Sequence, residues 1–392
     1  MRRDKNMDKK QEIQDEVQLI QDLFDGIDNG DFNNFGETSD KYTFKYLKAI
    51  WDLQTVLDGG KELYKQIYEI AIKCGIRHVQ QKYKTGRKIK VAFLTISAAE
   101  WPAESVYRLL KMNENVEAYL VVGPLIDRSV ENMEDAFEKT ASFFEKRGYD
   151  VRRAYDSKNK KVRLWEEIGK PDIVIHLTHW YKSLPEEYQI ENYPFTILNC
   201  YIPYAMSLAD NAKGTFMINS SNNSMFLNMM WHIYTDTMYH YEGYREYQLL
   251  GGENVVFTGF PKMDFFYNKI ENTSDQLMLM ANWKYPTGCD PKNMKKVIIA
   301  PHHTFLGYGG ILYSTFQWNM YFWIYLAKKY ENQISFIFKP HPNLRTRAIE
   351  AEVFRDAGDY ERYIDLWEKL PNARVSAEES YLEIFATSDG MI

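Results

Sequence analysis

Lys339, His341 and Arg345 stand close together just after a short apolar run, Ile334-Ser-Phe-Ile-Phe338. β-Branched and aromatic residues over that length predict a strand. Lys339-Pro-His-Pro342 ends it, because proline has no N–H to give to a sheet ladder. What the strand delivers is a cation, a histidine held between two fixed φ angles, and an arginine just beyond. These are groups that hold and work on a phosphorylated ligand. Open α/β sheets bind ligands outside the carboxyl ends of their strands, which is where the three residues fall. Taken alone, the stretch reads equally well as a strand-end turn whose histidine caps a carbonyl.

A second constellation is Ala300-Pro-His-His-Thr-Phe-Leu-Gly-Tyr-Gly-Gly310, between a predicted strand and a predicted helix. Gly309 and Gly310 would let backbone N–H groups approach an anion there. Ser314 is placed to cap the helix that follows. His302 and His303 have the chemistry of acid/base groups, while a packed loop pair is the simpler reading of them in isolation. The glycine spacing misses the dinucleotide fingerprint, and no acid follows at the distance that NAD binding needs. No spaced carboxylate completes a metal site with the histidines, so neither a cofactor nor a metal is expected. Trp101, Tyr201 and Tyr204 follow predicted strands and could face a cleft or pack a core. His176 falls inside a predicted strand, and His232 and His240 in a predicted aromatic helix, all three as structural groups. The acids of residues 25–31 miss the positions of a calcium loop. A Walker loop and a Gly-x-Ser-x-Gly elbow are both absent from the sequence.

To bring such groups to one edge the chain must fold as repeated β-α units. Helices are predicted over residues 8–25, 42–57 and 62–74, a preface (residues 1–87) that carries no chemistry and could dock or oligomerise. From residue 88 the pattern alternates. Strands are predicted at 89–96, 116–122, 151–154, 172–177, 195–200 and 254–257, a helix at 131–147, and a mainly helical stretch at 224–250. Residues 265–294 are polar, contain Pro286-Thr-Gly288 and Asp290-Pro291, and read as a linker. A second series begins at 295, with strands at 296–300, 334–338 and 374–375 and helices at 314–330, 346–370 and 381–385. The near-continuous apolar strands suit a parallel sheet buried on both faces. The fold class expected is therefore α/β, two Rossmann-like, doubly wound domains at 88–264 and 295–392. The closing Met391-Ile392 reads as the start of a buried strand, so the second domain is expected to be incomplete.

Composition agrees with this. The chain has 392 residues, 45% of them apolar and 26% charged, enough for two cores, with a formal charge of −6. That charge argues against a nucleic-acid partner. Cys74, Cys200 and Cys289 form neither a zinc spacing nor a disulfide framework, which points to a reducing, cytoplasmic setting. The charged amino terminus is not a signal peptide, and no run reaches the ~18 apolar residues of a membrane span.

The order Trp101-Pro102, Tyr201-Ile-Pro-Tyr204, Thr258-Gly-Phe-Pro-Lys-Met-Asp264, Ala300-Pro-His-His303, Lys339-Pro-His-Pro342 and Ser388-Asp389 resembles the CDP-glycerol glycerophosphotransferase family. This family comprises the teichoic-acid polymerases and primases and their capsular relatives. The resemblance covers residues 88–392. It implies a GT-B fold, with two Rossmann-like domains facing a cleft. It implies transfer of glycerol phosphate, or a similar polyol phosphate, from CDP-glycerol to a hydroxyl of a lipid-linked glycan or polymer, with release of CMP. Such an enzyme works in the cytoplasm, as a peripheral protein on the inner face of the membrane. His341 matches the family's Pro-His motif, and His302 and His303 fall in its first-strand loop, which makes these three the candidate catalytic residues. Ser388 and Asp389 match the donor-binding position, and Trp101 and Tyr204 belong to the acceptor side. Lys339 and Arg345 are added as electrostatic partners of the diphosphate, with Gly309 and Gly310 beside them. Family members continue past the Ser-Asp position with an acid and serines that help hold the donor, whereas this chain ends first. Two other readings remain open: a nucleotide-sugar glycosyltransferase on the same fold, and a non-catalytic scaffold of polysaccharide synthesis.

Overall fold

Ile89–Thr95 (β1) shows why the first sheet forms where it does. Ala92 and Leu94 enter one core and Val91 and Phe93 the other, so this strand is buried on both faces. That is the two-residue alternation of an extended chain sandwiched between two helical layers. In the computed structural model the described residues are 17–19, 21–26, 41–55, 59–127, 129–206, 221–267, 280–306, 312–376 and 381–392. They divide into two units, residues 1–264 and 265–392.

In the first unit β1 is joined by β2 (Val116–Val122), β3 (Val151–Arg153), a hairpin of β4 (Tyr155–Asp156) and β5 (Lys161–Val162), β6 (Ile173–His176), β7 (Leu198–Tyr201), β8 (His232–Thr235) and β9 (Val255–Phe257). Seven of these make one sheet in the order β3-β2-β1-β6-β7-β8-β9. Every pairing in it is parallel. The order reverses between β1 and β6, the switch point at which doubly wound sheets open a crevice for ligands. Helices Glu104–Met112 and Val130–Lys146 cover one face. Helices Lys45–Leu53 and Gly60–Lys84 cover the other, packing Leu47, Ile50, Tyr64 and Ile67 into the same cluster as Ala92, Leu94 and Tyr119. Gly75 permits this closeness, since a Cβ there would stand 2.5 Å from Leu198 Cδ2.

The second unit holds β10 (Lys295–Ile299), β11 (Ile334–Phe338), β12 (Ala373–Val375) and β13 (Gly390–Met391), in the order β12-β11-β10-β13. Its pairings are also all parallel. Helices Phe316–Lys329 and Ala357–Glu368 pack one face, where Phe338 stacks on Trp367 at 5.1 Å. Trp283 and Ile384 close the other face over Ile298 and Ile337. The α/β class with parallel sheets is as the strand pattern predicts.

Two local expectations fail. Residues 224–250 are helical at Met225–Asn228 and Met238–Tyr247 but not throughout, because the strand β8 runs between those helices. His232 therefore lies in a strand, while His240 is helical as expected. The Phe316–Lys329 helix has Thr315 at its N-cap without a side-chain cap, and Ser314 is one residue early. Ser314 Oγ accepts the Phe316 N–H at 3.2 Å instead.

Candidate functional site

β10 and β11 are parallel neighbours with Ile299 opposite Phe338, so both chains leave the sheet at one carboxyl edge. Two backbone bonds keep the departing loops side by side: Lys339 N–H donates to Ile299 at 2.8 Å and His341 N–H to Pro301 at 3.3 Å. Rigid prolines at 301, 340 and 342 leave these loops few alternatives. The result is a cluster of three imidazoles. His303 and His341 have ring centroids 4.1 Å apart, His302 and His303 4.2 Å, and His302 and His341 5.3 Å.

Burial pushes His341 down to about 4, helped by His303, His302 and Lys339. His303 is lowered by burial, then by His302 and Arg347, and His302 by burial. All three rings are thus neutral at pH 7 and crowd one another too closely to charge together. The Asn343 N–H donates to His341 Nδ1 at 3.1 Å. A neutral ring that accepts at Nδ1 carries its proton on Nε2, so His341 presents a donor. His302 Nδ1 lies 3.2 Å from the Thr304 hydroxyl, which also accepts the Tyr313 N–H. His303 Nδ1 is buried and has no hydrogen-bond partner among the described residues.

Three ring nitrogens within 4.8 Å of one another could grip a metal ion. Two observations favour an anion over a cation. Nε2 of His341 is protonated in the tautomer that its backbone bond selects, and a ligating nitrogen must be bare. The charges felt by the cluster, from Lys339 and Arg347, are positive. Neutral N–H donors ringed by cations suit phosphate oxygens.

The other predicted residues divide. Lys339 lies at the cluster. Arg345 is exposed and pairs with Glu361 at 3.3 Å. The arginine whose charge reaches the histidines is Arg347, itself paired with Glu350 at 2.8 Å and missed by sequence reasoning. Asp389 sits at the amino end of β10, where its carboxylate accepts the Lys296 N–H at 2.8 Å and Lys295 Nζ at 3.1 Å. Ser388 ends the helix Leu382–Thr387 and donates to Phe385. From Lys296 to Ile299 is about 10 Å along a strand, so Ser388 and Asp389 occupy the sheet edge opposite the histidines. Gly309 and Gly310 lie outside the described residues. Trp101 is buried against Phe93 and Phe144, its Nε1 donating to Glu104 at 2.9 Å, and it packs a core. His176 is buried on Asn199, as a structural histidine.

Tyr204, expected on the acceptor side, belongs to a group at the carboxyl edge of the first unit's sheet, of which sequence reasoning left His179 and Glu100 aside. It stacks on His179, whose Nδ1 is 3.4 Å from the Tyr201 hydroxyl. Lys262, from the Thr258–Asp264 motif, is buried and donates to the Ala99 carbonyl at 3.0 Å. Burial pushes its ammonium down to about 8, against the pull of Glu100. Glu100 also raises Tyr201 and Tyr204, behind the larger effect of their burial. Loops after β1, β6, β7 and β9 thus converge here. The signal available was that each of these residues follows a predicted strand, or ends a motif, at the same sheet edge.

No family model matches the chain, and no curated protein does. Solved structures resemble it distantly. A variant of the wall teichoic acid polymerase TagF shares 10% identity over 84% of this chain and 73% of that one, with a TM-score of 0.44. UDP-GlcNAc 2-epimerase of Methanocaldococcus jannaschii, in complex with UDP-GlcNAc and UDP, shares 11% over 78% of each chain, with a TM-score of 0.39. UDP-N-acetylglucosamine 2-epimerase of Rickettsia bellii shares 14% over 78% of this chain and 74% of that one, also at 0.39. At such distances function has to be argued from the site itself. No helix among the described residues is long and apolar enough to cross a membrane.

Proposed function

We propose that this chain is a GT-B phosphotransferase. It moves glycerol phosphate, or a similar polyol phosphate, from CDP-glycerol to a hydroxyl of a lipid-linked glycan or polymer at the membrane face. The observation that carries the reading is the cluster of His302, His303 and His341, with Lys339 and Arg347 nearby, at the carboxyl ends of β10 and β11. The motif order of the sequence supplies the donor and acceptor classes. In the reaction the acceptor oxygen bonds to the glycerol-bearing phosphorus, the bond from that phosphorus to the CMP oxygen breaks, and CMP leaves with the electron pair. One neutral imidazole takes the acceptor proton. The Nε2–H of His341 donates to a phosphate oxygen as charge builds on it.

The test is CMP release from CDP-glycerol by the full chain, with and without a glycan-lipid acceptor, wild type against His341→Ala and His303→Ala. Acceptor-dependent release that falls by ~100-fold in the variants is expected. Release of UDP or UMP from a nucleotide sugar instead would keep the site and replace the donor. Wild-type turnover that survives the double variant would remove the histidines from the chemistry.

A further inference from the structure

The helix Phe316–Lys329 buries Phe316, Met320, Trp323, Ile324 and Ala327 against the second unit's sheet. Its opposite face repeats the same spacing with aromatics left in water. Trp318, Tyr321, Phe322 and Tyr325 are 53–60% exposed. Positions i, i+3, i+4 and i+7 make one stripe, so these rings share a face. The stripe runs into Lys328 and Lys329, and the helix contains no acid although the chain carries a formal charge of −6. The neighbouring helix Ala357–Glu368 carries four acids: Glu361 is paired with Arg345, Asp359 with Arg355 and Arg362, Glu368 accepts the Val375 N–H, and Asp365 is exposed.

We infer that this face docks on an anionic lipid surface. Trp and Tyr have an apolar body and a polar tip, the chemistry that concentrates at the headgroup level of a bilayer. Two lysines at the end of the stripe attract acidic headgroups. The area speaks against a protein occupant. An aromatic side chain offers about 150–250 Å² in all, so four rings a little over half exposed offer roughly 400 Å². A stable protein interface takes about 800 Å² from each partner. A bilayer has no such threshold, because insertion by a few rings adds to charge attraction. The inference rests on the proposed function for its purpose alone. Its test reads vesicle binding rather than turnover, so either can fail without the other.

The test is flotation of the full chain with vesicles of phosphatidylcholine and phosphatidylglycerol, and with phosphatidylcholine alone. Wild type should float with the mixed vesicles and much less with the neutral ones. Trp318→Ser with Phe322→Ser should abolish flotation, Trp318→Phe should retain it, and Lys328→Glu with Lys329→Glu should weaken it by ~10-fold or more. Unchanged circular dichroism and melting temperature establish that the variants fold. Failure of wild type to float, or equal flotation of the serine variant, would overturn the inference. So would self-association of wild type that the serine variant abolishes, which would make the stripe a seat for a second copy.

Discussion

His341 is the residue on which the candidate site turns, and its titration is open to measurement. Burial, His303, His302 and Lys339 together hold it near 4, against an ordinary imidazole value near 6.5. Between those two values the unfolded chain takes up a proton that the folded residue refuses, so stability falls as pH drops across that window. A bound phosphate reverses the balance, because an anion favours the imidazolium. The urea midpoint should therefore decline from about pH 6.5 towards 4, less steeply in His341→Gln, and less steeply in wild type when CDP is added. A decline of equal slope in all three would separate His341 from any anion. At this scale the histidine motifs were legible because proline-bounded strand ends are local features. The choice between Arg345 and Arg347 was not. Two residues apart on a helix point to nearly opposite sides, so the answer depends on where the helix Leu344–Glu350 begins.

Among the elements, β11 was readable residue for residue, since a five-residue apolar run closed by two prolines has few other fates. β8 was missed because His232–Thr235 is four residues long and is a strand only through its partners β7 and β9. Local pattern cannot supply that pairing. The strand pair β10–β13 gives Asp389 a structural part that motif order does not show. Ser388 and Asp389 are matched by motif order to donor binding, yet Asp389 clamps the amino end of β10 through Lys296 and Lys295. Asp389→Ala should therefore lower stability by about 1 kcal/mol, from the lost bond to a buried N–H, and leave CDP affinity unchanged. Calorimetric titration of CDP reads the second part directly. A tenfold loss of affinity at unchanged stability would return Asp389 to the donor site.

For the whole molecule, the two β-α series were legible because their period changes at residue 88 and restarts near 295. The seating of the helices before residue 88 was not, since it depends on contacts made across long stretches of sequence. Asp172, at the foot of β6, is buried and accepts Lys82 Nζ at 2.6 Å, His78 Nε2 at 3.1 Å and the Lys90 N–H at 2.7 Å. Burial alone would raise its carboxyl, but the bonds from His78, Lys82 and Lys90 outweigh it and hold the group below its ordinary value. Its contribution is thus present above the unfolded value near 3.9 and fades as pH falls through the lower folded one. Removing one partner of such a pair leaves a shielded charge uncompensated, at a cost of about 3–5 kcal/mol. Asp172→Ala should lower the urea-derived stability by that order and free the Gly60–Lys84 helix for proteolysis. Asp172→Ala combined with Lys82→Met should recover much of the loss, because no stranded ammonium remains. If the single variant costs less than about 1 kcal/mol, the ion pair is incidental. The N-terminal helices would then be held by their apolar packing, Leu47, Ile50, Tyr64 and Ile67 among it, and Gly75→Val, which would drive a side chain into Leu198, would become the substitution that dislodges them.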